Sequence, residues 1–279
     1  MKILVTGANG YLGRGIVNQL IADGIDVVAT DFTNPTDYDG NNFIATDLFS
    51  VENPYEYFGK PDVLLHLAWR DGFVHNSKNH ILDFPKHVTF VEKMAEAGTK
   101  RIAVMGSMHE IGFHEGSINE NTICRPMSYY GIAKDALRNA VALICKNNNV
   151  IFQWLRGFYI VGTTSNGSSI FAKLIQAHQE GKTEFPFTMG QNQFDFVDYE
   201  KFCLQVAAAV EQDKINGIIN ICEGRPEKLA DRVERFIKDN NLNLKLQYGA
   251  FPDRPYDSKA VWGDSGRITM IMNERQKMS

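Results

Sequence analysis

Long apolar runs are missing from this sequence. None approaches the roughly 18 consecutive apolar residues of a membrane span. Only Ile3, Leu4 and Val5 are apolar between Lys2 and Thr6, too few for a secretory signal. Cysteine is scarce, and Cys124, Cys145, Cys203 and Cys222 form no CxxC pair. That usage excludes a disulfide framework and suits reduced thiols in a cytoplasm, so a cytoplasmic chain with four buried, free cysteines is expected. The seven histidines lack metal-ligand spacing such as HExxH. No metal site is expected, and His75, His80 and His87 are expected to line a helix or loop surface. Excess charge is missing too: a net charge of −4 over 279 residues gives no basis for a nucleic-acid or membrane partner. Internal repeats and low-complexity linkers are absent. With 44% hydrophobic residues, the chain reads as one large α/β domain or one domain with a lobe.

What is present is concentrated first in Lys2 to Gly15, KILVTGANGYLGRG. Ile3 to Val5 make a short apolar run, glycines follow at Gly7, Gly10 and Gly13, and Ile16, Val17, Leu20 and Ile21 recur at helical spacing. Strand, glycine turn and helix in that order are the context of a dinucleotide site. Gly7 permits the sharp turn, Gly10 lets backbone approach a pyrophosphate, and Gly13 lets helix and strand pack closely. The amides of Tyr11, Leu12 and Gly13 then face the anion. Asp26 to Thr30 reads as a second strand ending at Asp31, where an NAD-binding fold places the acid that receives the adenosine ribose. A carboxylate there repels a 2′-phosphate, so NAD is expected rather than NADP.

Further strands are expected at Phe43 to Ala45, Val63 to Ala68, Ile102 to Met105 and Val150 to Leu155. Helices are expected over His80 to Ala97, with Pro85 kinking it or marking its first turn, and over Ser128 to Lys146. His66, inside an apolar strand, reads as a satisfied core residue. The alternation indicates an α/β fold, a doubly wound parallel sheet of Rossmann type, with a smaller C-terminal substrate lobe. Residues 1–162 are assigned to the dinucleotide-binding domain, with 194–222 returning to it; 163–193 and 223–279 are assigned to the lobe. Within this stretch Ile170 to Ala177, Tyr199 to Val210 and Leu229 to Ile237 read as helices, and Phe194 to Val197, Ile218 to Cys222 and Leu244 to Gln247 as strands. The tail from Phe251 reads as irregular.

Tyr130 and Lys134, four apart in YYGIAK, share one helix face. A cation beside a phenol favours phenolate, and moving its pKa from about 10 to near 7 needs roughly 4 kcal/mol. Lys134 and an oxidised nicotinamide ring are expected to share that burden, leaving Tyr130 as a general acid/base for a carbinol. Ser107 closes its strand on the carboxyl edge, placed to hydrogen-bond the same substrate oxygen.

With these pieces the chain resembles the extended short-chain dehydrogenase/reductase family of nucleotide-sugar epimerases, dehydratases and reductases. The matching stretches are TGANGYLG (Thr6 to Gly13), Asp31, Asp47-Leu48, HLA (His66 to Ala68), GSMHEIG (Gly106 to Gly112), YYGIAK (Tyr129 to Lys134), LRGFYIVG (Leu155 to Gly162), FDFVDYEKF (Phe194 to Phe202) and INICEG (Ile219 to Gly224). The resemblance implies catalysis by Ser107, Tyr130 and Lys134. It implies cofactor contacts from Asp47, Leu48, Leu67 and Ala68 as well as from the glycine loop, Asp31, Tyr130 and Lys134. It also implies a nucleotide-sugar substrate and a homodimer through the helices near His80 to Ala97 and Ser128 to Lys146.

Departures from the family pattern narrow the reading. Sugar 4,6-dehydratases carry Asp-Glu after the catalytic hydroxyl residue, where this chain has Met108 and His109, so dehydration is not expected. Phe194 replaces an Arg that helps hold the sugar nucleotide, and Tyr159 stands where Asn often follows the strand. Glu110 and the stretch Arg254-Pro255-Tyr256-Asp257-Ser258 resemble 4-keto-6-deoxyhexose reductases; Met108 and Arg254 join Ser107 as substrate-binding candidates. The expectation is therefore an NAD(P)-dependent oxidoreductase at C4 of a nucleotide-activated sugar, foremost a 4-keto-6-deoxyhexose reductase. A 4-epimerase would use the same residues, and a non-catalytic dinucleotide sensor would need none of the three.

The carboxylate of Asp31 sets the first testable consequence. NADH should bind more tightly than NADPH, and Asp31→Ala should narrow the gap; equal affinities in the unaltered protein, measured by titration, would show that Asp31 does not read the ribose.

Overall fold

The computed structural model describes residues 1–35, 42–165, 169–252 and 258–278. The chain begins with β1 (Lys2–Thr6), α1 (Tyr11–Ala22), β2 (Asp26–Asp31), β3 (Phe43–Ala45), α2 (Pro54–Tyr57), β4 (Val63–His66), α3 (Asn79–Ala97) and β5 (Arg101–Ser107). Then come β6 (Gly116–Ile118), α4 (Tyr129–Asn147), β7 (Ile151–Gly157), β8 (Tyr159–Val161), α5 (Ile170–Gln179), β9 (Glu184–Pro186), β10 (Gln193–Phe194) and β11 (Phe196–Asp198). The remainder holds α6 (Tyr199–Glu211), β12 (Gly217–Ile221), β13 (Glu227–Lys228), α7 (Leu229–Asp239), β14 (Lys245–Gln247), β15 (Ala260–Gly263) and α8 (Gly266–Met278).

Seven strands form one sheet in the order β12-β7-β5-β4-β1-β2-β3, and each neighbouring pair is parallel. The central strands are apolar along their whole length because helices cover both sheet faces. Leu4, Leu64, Ile102 and Val104 point into the core under α3 and α4. Ile3, Val5, Leu65, Ala103 and Met105 point into the opposite core, closed by Ile16, Val17 and Leu20 of α1 and Val206 to Val210 of α6. This is the doubly wound Rossmann architecture. Its strand order reverses between β1 and β4, and ligands of such sheets bind at the carboxyl ends beside that point.

The lobe has its own core, in which Phe171 and Leu174 of α5 meet Phe187, Phe196, and Val233 and Phe236 of α7. A second sheet, β13-β10-β15-β6, adjoins it. The strand expected at Phe194 to Val197 is two strands split at Asp195. The fully buried Asp195 carboxylate accepts the amides of Glu223 (2.8 Å), Gly224 (2.9 Å) and Gly263 (3.1 Å). It thereby ties Phe194, in the lobe sheet, to β11, which pairs with β8.

Other expectations are corrected. Among the described residues of the tail, 260–278 are not irregular: β15 pairs with β6 and β10, and α8 is a regular helix. A narrow stripe, Ile268, Ile271 and Met272, is all that α8 buries, too little to mark a helix by periodicity. The helix packs on α6 and β12 rather than on the lobe to which 223–279 were assigned. Arg275 fastens it to Asp23 (2.5 Å) and Glu211 (2.7 Å). Pro85 lies inside α3, past its first turn. β4 ends at His66 because Gly7, at φ +69°, turns its neighbour β1 away; the Ala68 amide is taken by Thr6 Oγ1 at 3.2 Å. All four cysteines are free, three of them buried. Among the described residues no helix is long and apolar enough to cross a membrane.

Candidate active site

The glycine loop and the start of α1 form a cradle of backbone. A Cβ on Gly7 would lie 2.7 Å from the Ala68 nitrogen, and one on Gly13 2.1 Å from the Gly7 oxygen, so neither position admits a side chain. Gly10 caps α1 with backbone alone: no side chain caps the helix and no acid stands in its first turn. Amides of Tyr11, Leu12 and Gly13 are therefore available to an anion. The Tyr11 ring turns away and stacks on Tyr199 at 4.6 Å. The Tyr199 hydroxyl holds the helix start by donating to Tyr11 O (2.5 Å) and accepting from Gly15 N (3.1 Å). Asp31, at the end of β2, accepts the Asn9 amide (3.0 Å) and its neighbour's, Phe32 (2.8 Å). Uncapped amides, a loop that no Cβ fits and a carboxylate one strand away suit a dinucleotide.

The other expected cofactor residues stand around this cradle. Asp47 spends Oδ1 on the Phe49 amide (3.0 Å), and Leu48 is buried in the core under α3. Leu67 and Ala68 follow β4, and their amides donate to Thr6 O and Thr6 Oγ1.

Ser107, Tyr130 and Lys134 are brought together. Ser107 ends β5; Ser128 caps α4 by accepting the Gly131 amide (3.1 Å), so Tyr130 and Lys134 fall on the first turns of that helix. Ser107 Oγ accepts the His109 amide (3.3 Å), and its hydroxyl is close enough to Tyr130 to favour the phenolate. Lys134 is buried, with Nζ donating to Met105 O at 2.8 Å. The expected cation beside the phenol is not what the structure shows. Nζ lies 5.8 Å from the Tyr130 ring centre and sits over Trp69 instead, 3.8 Å from its centroid. Burial pushes the Tyr130 phenol up to about 12, against the lowering effect of Ser107. Burial also pushes Lys134 down to about 7. In this state Tyr130 is a neutral acid.

Tyr130 stands inside a ring of aromatic side chains that the sequence reading placed elsewhere. His75 stacks on it at 5.2 Å, and His80 (5.3 Å), Trp69 (6.1 Å) and His109 (6.2 Å) surround it. The Tyr130 amide donates to His75 O at 2.9 Å. His80 and His87 are not surface residues: both are buried. His66 is held on both sides, by Thr6 Oγ1 and by His87 Nδ1, each at 2.8 Å. Burial pushes His66 well below the ordinary imidazole value, takes His87 to about 3 and, with His75 beside it, His109 to about 4. Among the described residues no group of three or more His, Cys, Asp or Glu side chains is placed to hold a metal.

Glu110, noted in the sequence only for its likeness to 4-keto-6-deoxyhexose reductases, has a structural role. It is fully buried beneath the site, where Arg156 Nε (2.5 Å) and Trp154 Nε1 (2.9 Å) donate to its carboxylate. Arg156 also reaches Asn119 O at 3.1 Å. Sequence reasoning missed Trp154 and Arg156 as partners. One acid in an apolar turn and one arginine in an apolar strand, on elements expected to be adjacent, were the available signal. Met108, expected beside a substrate, is 7% exposed and packs in the main core. Arg254 lies outside the described residues. A cleft of about 920 Å³ opens between the cradle and the lobe, lined by Asn9, Tyr11, Arg14, Phe73, Thr163 and Arg232 among others. It stops short of Ser107, Tyr130 and Lys134; Phe73 belongs to the same loop as His75, which covers them.

A sequence profile of the NAD dependent epimerase/dehydratase family matches residues 3–222. The chain is 40% identical over 271 residues to a dTDP-6-deoxy-L-talose 4-dehydrogenase (NAD(+)) of Aggregatibacter actinomycetemcomitans, covering 94% of this chain and 99% of that one. The fold is similar to UDP-glucose 4-epimerase of Thermus thermophilus in complex with NAD (TM-score 0.81, 19% identity, 99% of this chain and 93% of that one). It is similar also to UDP-glucuronic acid 4-epimerase of Bacillus cereus in complex with UDP-glucuronic acid and NAD (TM-score 0.78, 22% identity, 98% and 93%).

Breaking the buried Glu110–Arg156 pair should be costly, since it leaves a guanidinium without its counter-charge. Glu110→Gln should lower stability by about 3–5 kcal/mol. Chemical denaturation checks this, and a change within about 0.5 kcal/mol would show that the pair does not support the site.

Proposed function

We propose, from the premise that the chain belongs to the NAD-dependent epimerase/dehydratase family, that it is an NAD-dependent oxidoreductase interconverting the C4 alcohol and C4 ketone of a dTDP-activated 6-deoxyhexose. The observation that carries the reading is the convergence of Ser107, at the end of β5, with Tyr130 and Lys134 on the first turns of α4, at the carboxyl edge of the sheet beside the glycine cradle. The dTDP-linked 6-deoxy sugar rests on the 4-dehydrogenase that is 40% identical over 94% of this chain. A 4-dehydrogenase run in reverse is a 4-keto reductase, so both directions fall within the reading.

The amides of Tyr11 to Gly13 and the Asp31 carboxylate would hold NAD, which would supply the hydride acceptor or, reduced, the donor. The chain's own residues handle the proton. In reduction, neutral Tyr130 donates its hydroxyl proton to the oxygen at C4. Ser107 Oγ already accepts from His109 N and turns its own hydrogen toward that oxygen, stabilising the charge that develops there. In oxidation Tyr130 first releases its proton to solvent and then, as phenolate, accepts the C4 hydroxyl proton; a protonated Lys134 on the same helix face would favour that phenolate. Glu110, engaged by Arg156 and Trp154, takes no part in proton transfer. Leu82 and Leu143, 65% and 59% exposed on α3 and α4, support a homodimer through these helices.

Purified protein with dTDP-6-deoxy-L-talose and NAD should form one NADH per sugar oxidised. A C4-inverted sugar without net NADH would make it an epimerase, and tight NAD binding with no turnover of any sugar nucleotide would leave a sensor. Tyr130→Phe should lower turnover by about 10²–10⁴-fold while NAD affinity persists; near-normal turnover would overturn the site.

A further inference from the structure

Trp69, directly after the His-Leu-Ala stretch, makes three contacts with its indole. Its face lies 3.8 Å from Lys134 Nζ. Its ring stacks on His87 at 4.6 Å. Its Nε1–H donates to His80 Nδ1 at 3.1 Å. An indole nitrogen can only donate, so His80 Nδ1 accepts and His80 Nε2–H donates to Val74 O at 3.0 Å. His80 is thereby fixed in one neutral tautomer, bracketing the 71–77 loop from which His75 packs on Tyr130. His87, behind the indole, is held through His66 to Thr6 at the end of β1.

Lys134 needs such a seat. Its ammonium is buried, its hydrogen bond goes to Met105 O, and among the described residues no carboxylate is paired with it. The titratable groups facing it are Tyr130 on its own helix, Glu110 from the turn after β5, His66 from β4 and His87 from α3. Glu110 is already engaged by Arg156 and Trp154, and both histidines are kept neutral by burial. A carboxylate at this place would occupy the ammonium's donors and cancel its field at Tyr130. An aromatic face stabilises the same charge through its quadrupole and leaves N–H donors free.

We propose that Trp69 is a positioning residue for proton transfer: its ring face seats the Lys134 ammonium in place of a carboxylate. The inference rests on Lys134 and Tyr130 acting as described under Proposed function.

The test compares the full chain with Trp69→Leu, Trp69→Met and Trp69→Phe. Leu and Met keep apolar bulk without a π face, and having both guards against one failing to fold. Phe restores a π face without the N–H. In protein labelled with ¹³Cε-lysine and free of cofactor, the Lys134 resonance is identified by its loss in Lys134→Met and followed with pH. Losing the π face removes a contact that favours the charged form, so the Lys134 midpoint should fall in the Leu and Met variants and recover in Trp69→Phe. With dTDP-6-deoxy-L-talose and NAD, kcat should drop on the order of tenfold in the Leu and Met variants. KM for the sugar should hold, and the alkaline limb of kcat/KM should move to lower pH. Equal midpoints in all four proteins, or Phe as impaired as Leu, would overturn the proposal and leave Trp69 a packing residue. Near-normal turnover in Lys134→Met would instead overturn the site reading, with the cofactor-free midpoint still deciding whether the ring seats the ammonium.

Discussion

A lysine ammonium buried without a carboxylate partner is the constraint around which the site is built. Lys134 carries its charge to the carboxyl end of β5, where one main-chain oxygen and one indole face receive it. Burial alone would discharge it, and its pKa already stands near 7. The surroundings limit the damage by staying electrically quiet. Histidines 66 and 87 are hydrogen-bonded to each other and kept neutral by burial, and Glu110 is engaged by Arg156 below.

Tyr130 is the counterpart of this economy. A phenol pushed up to about 12 is a poor base but a reliable acid. It suits the reduction of a ketone as it stands, whereas oxidation requires a phenolate that burial disfavours. The loop bearing His75 covers the ring and separates it from the large cleft beside the cradle. Access of a sugar to Ser107 and Tyr130 therefore involves the same loop that Trp69 and His80 hold in place.

The sheet was legible in the sequence because β1, β4 and β5 are buried on both faces and read as unbroken apolar runs between turn residues. The glycine loop was legible for a steric reason: Gly7 and Gly13 stand where a Cβ would strike backbone. Helix α8 was not, since Ile268 and Ile271 are buried on an otherwise polar segment whose place depends on α6. Four-residue spacing brought out Tyr130 and Lys134, but their electrostatics depend on residues distant in sequence. Trp69, His75 and His80 come from the segment after β4, and nothing in local periodicity shows that an indole there will lie under Lys134. Asp195 was hidden in the same way, because its three amide partners come from two distant turns.

The central claim is that this edge of the sheet exchanges hydride at C4 of a sugar while Tyr130 handles only the proton. It is tested most directly by following deuterium placed at C4 of a nucleotide sugar that the protein turns over. The account predicts that the label passes to the nicotinamide ring and appears in the reduced cofactor. Release of the label into water, with none on the nicotinamide, would contradict it.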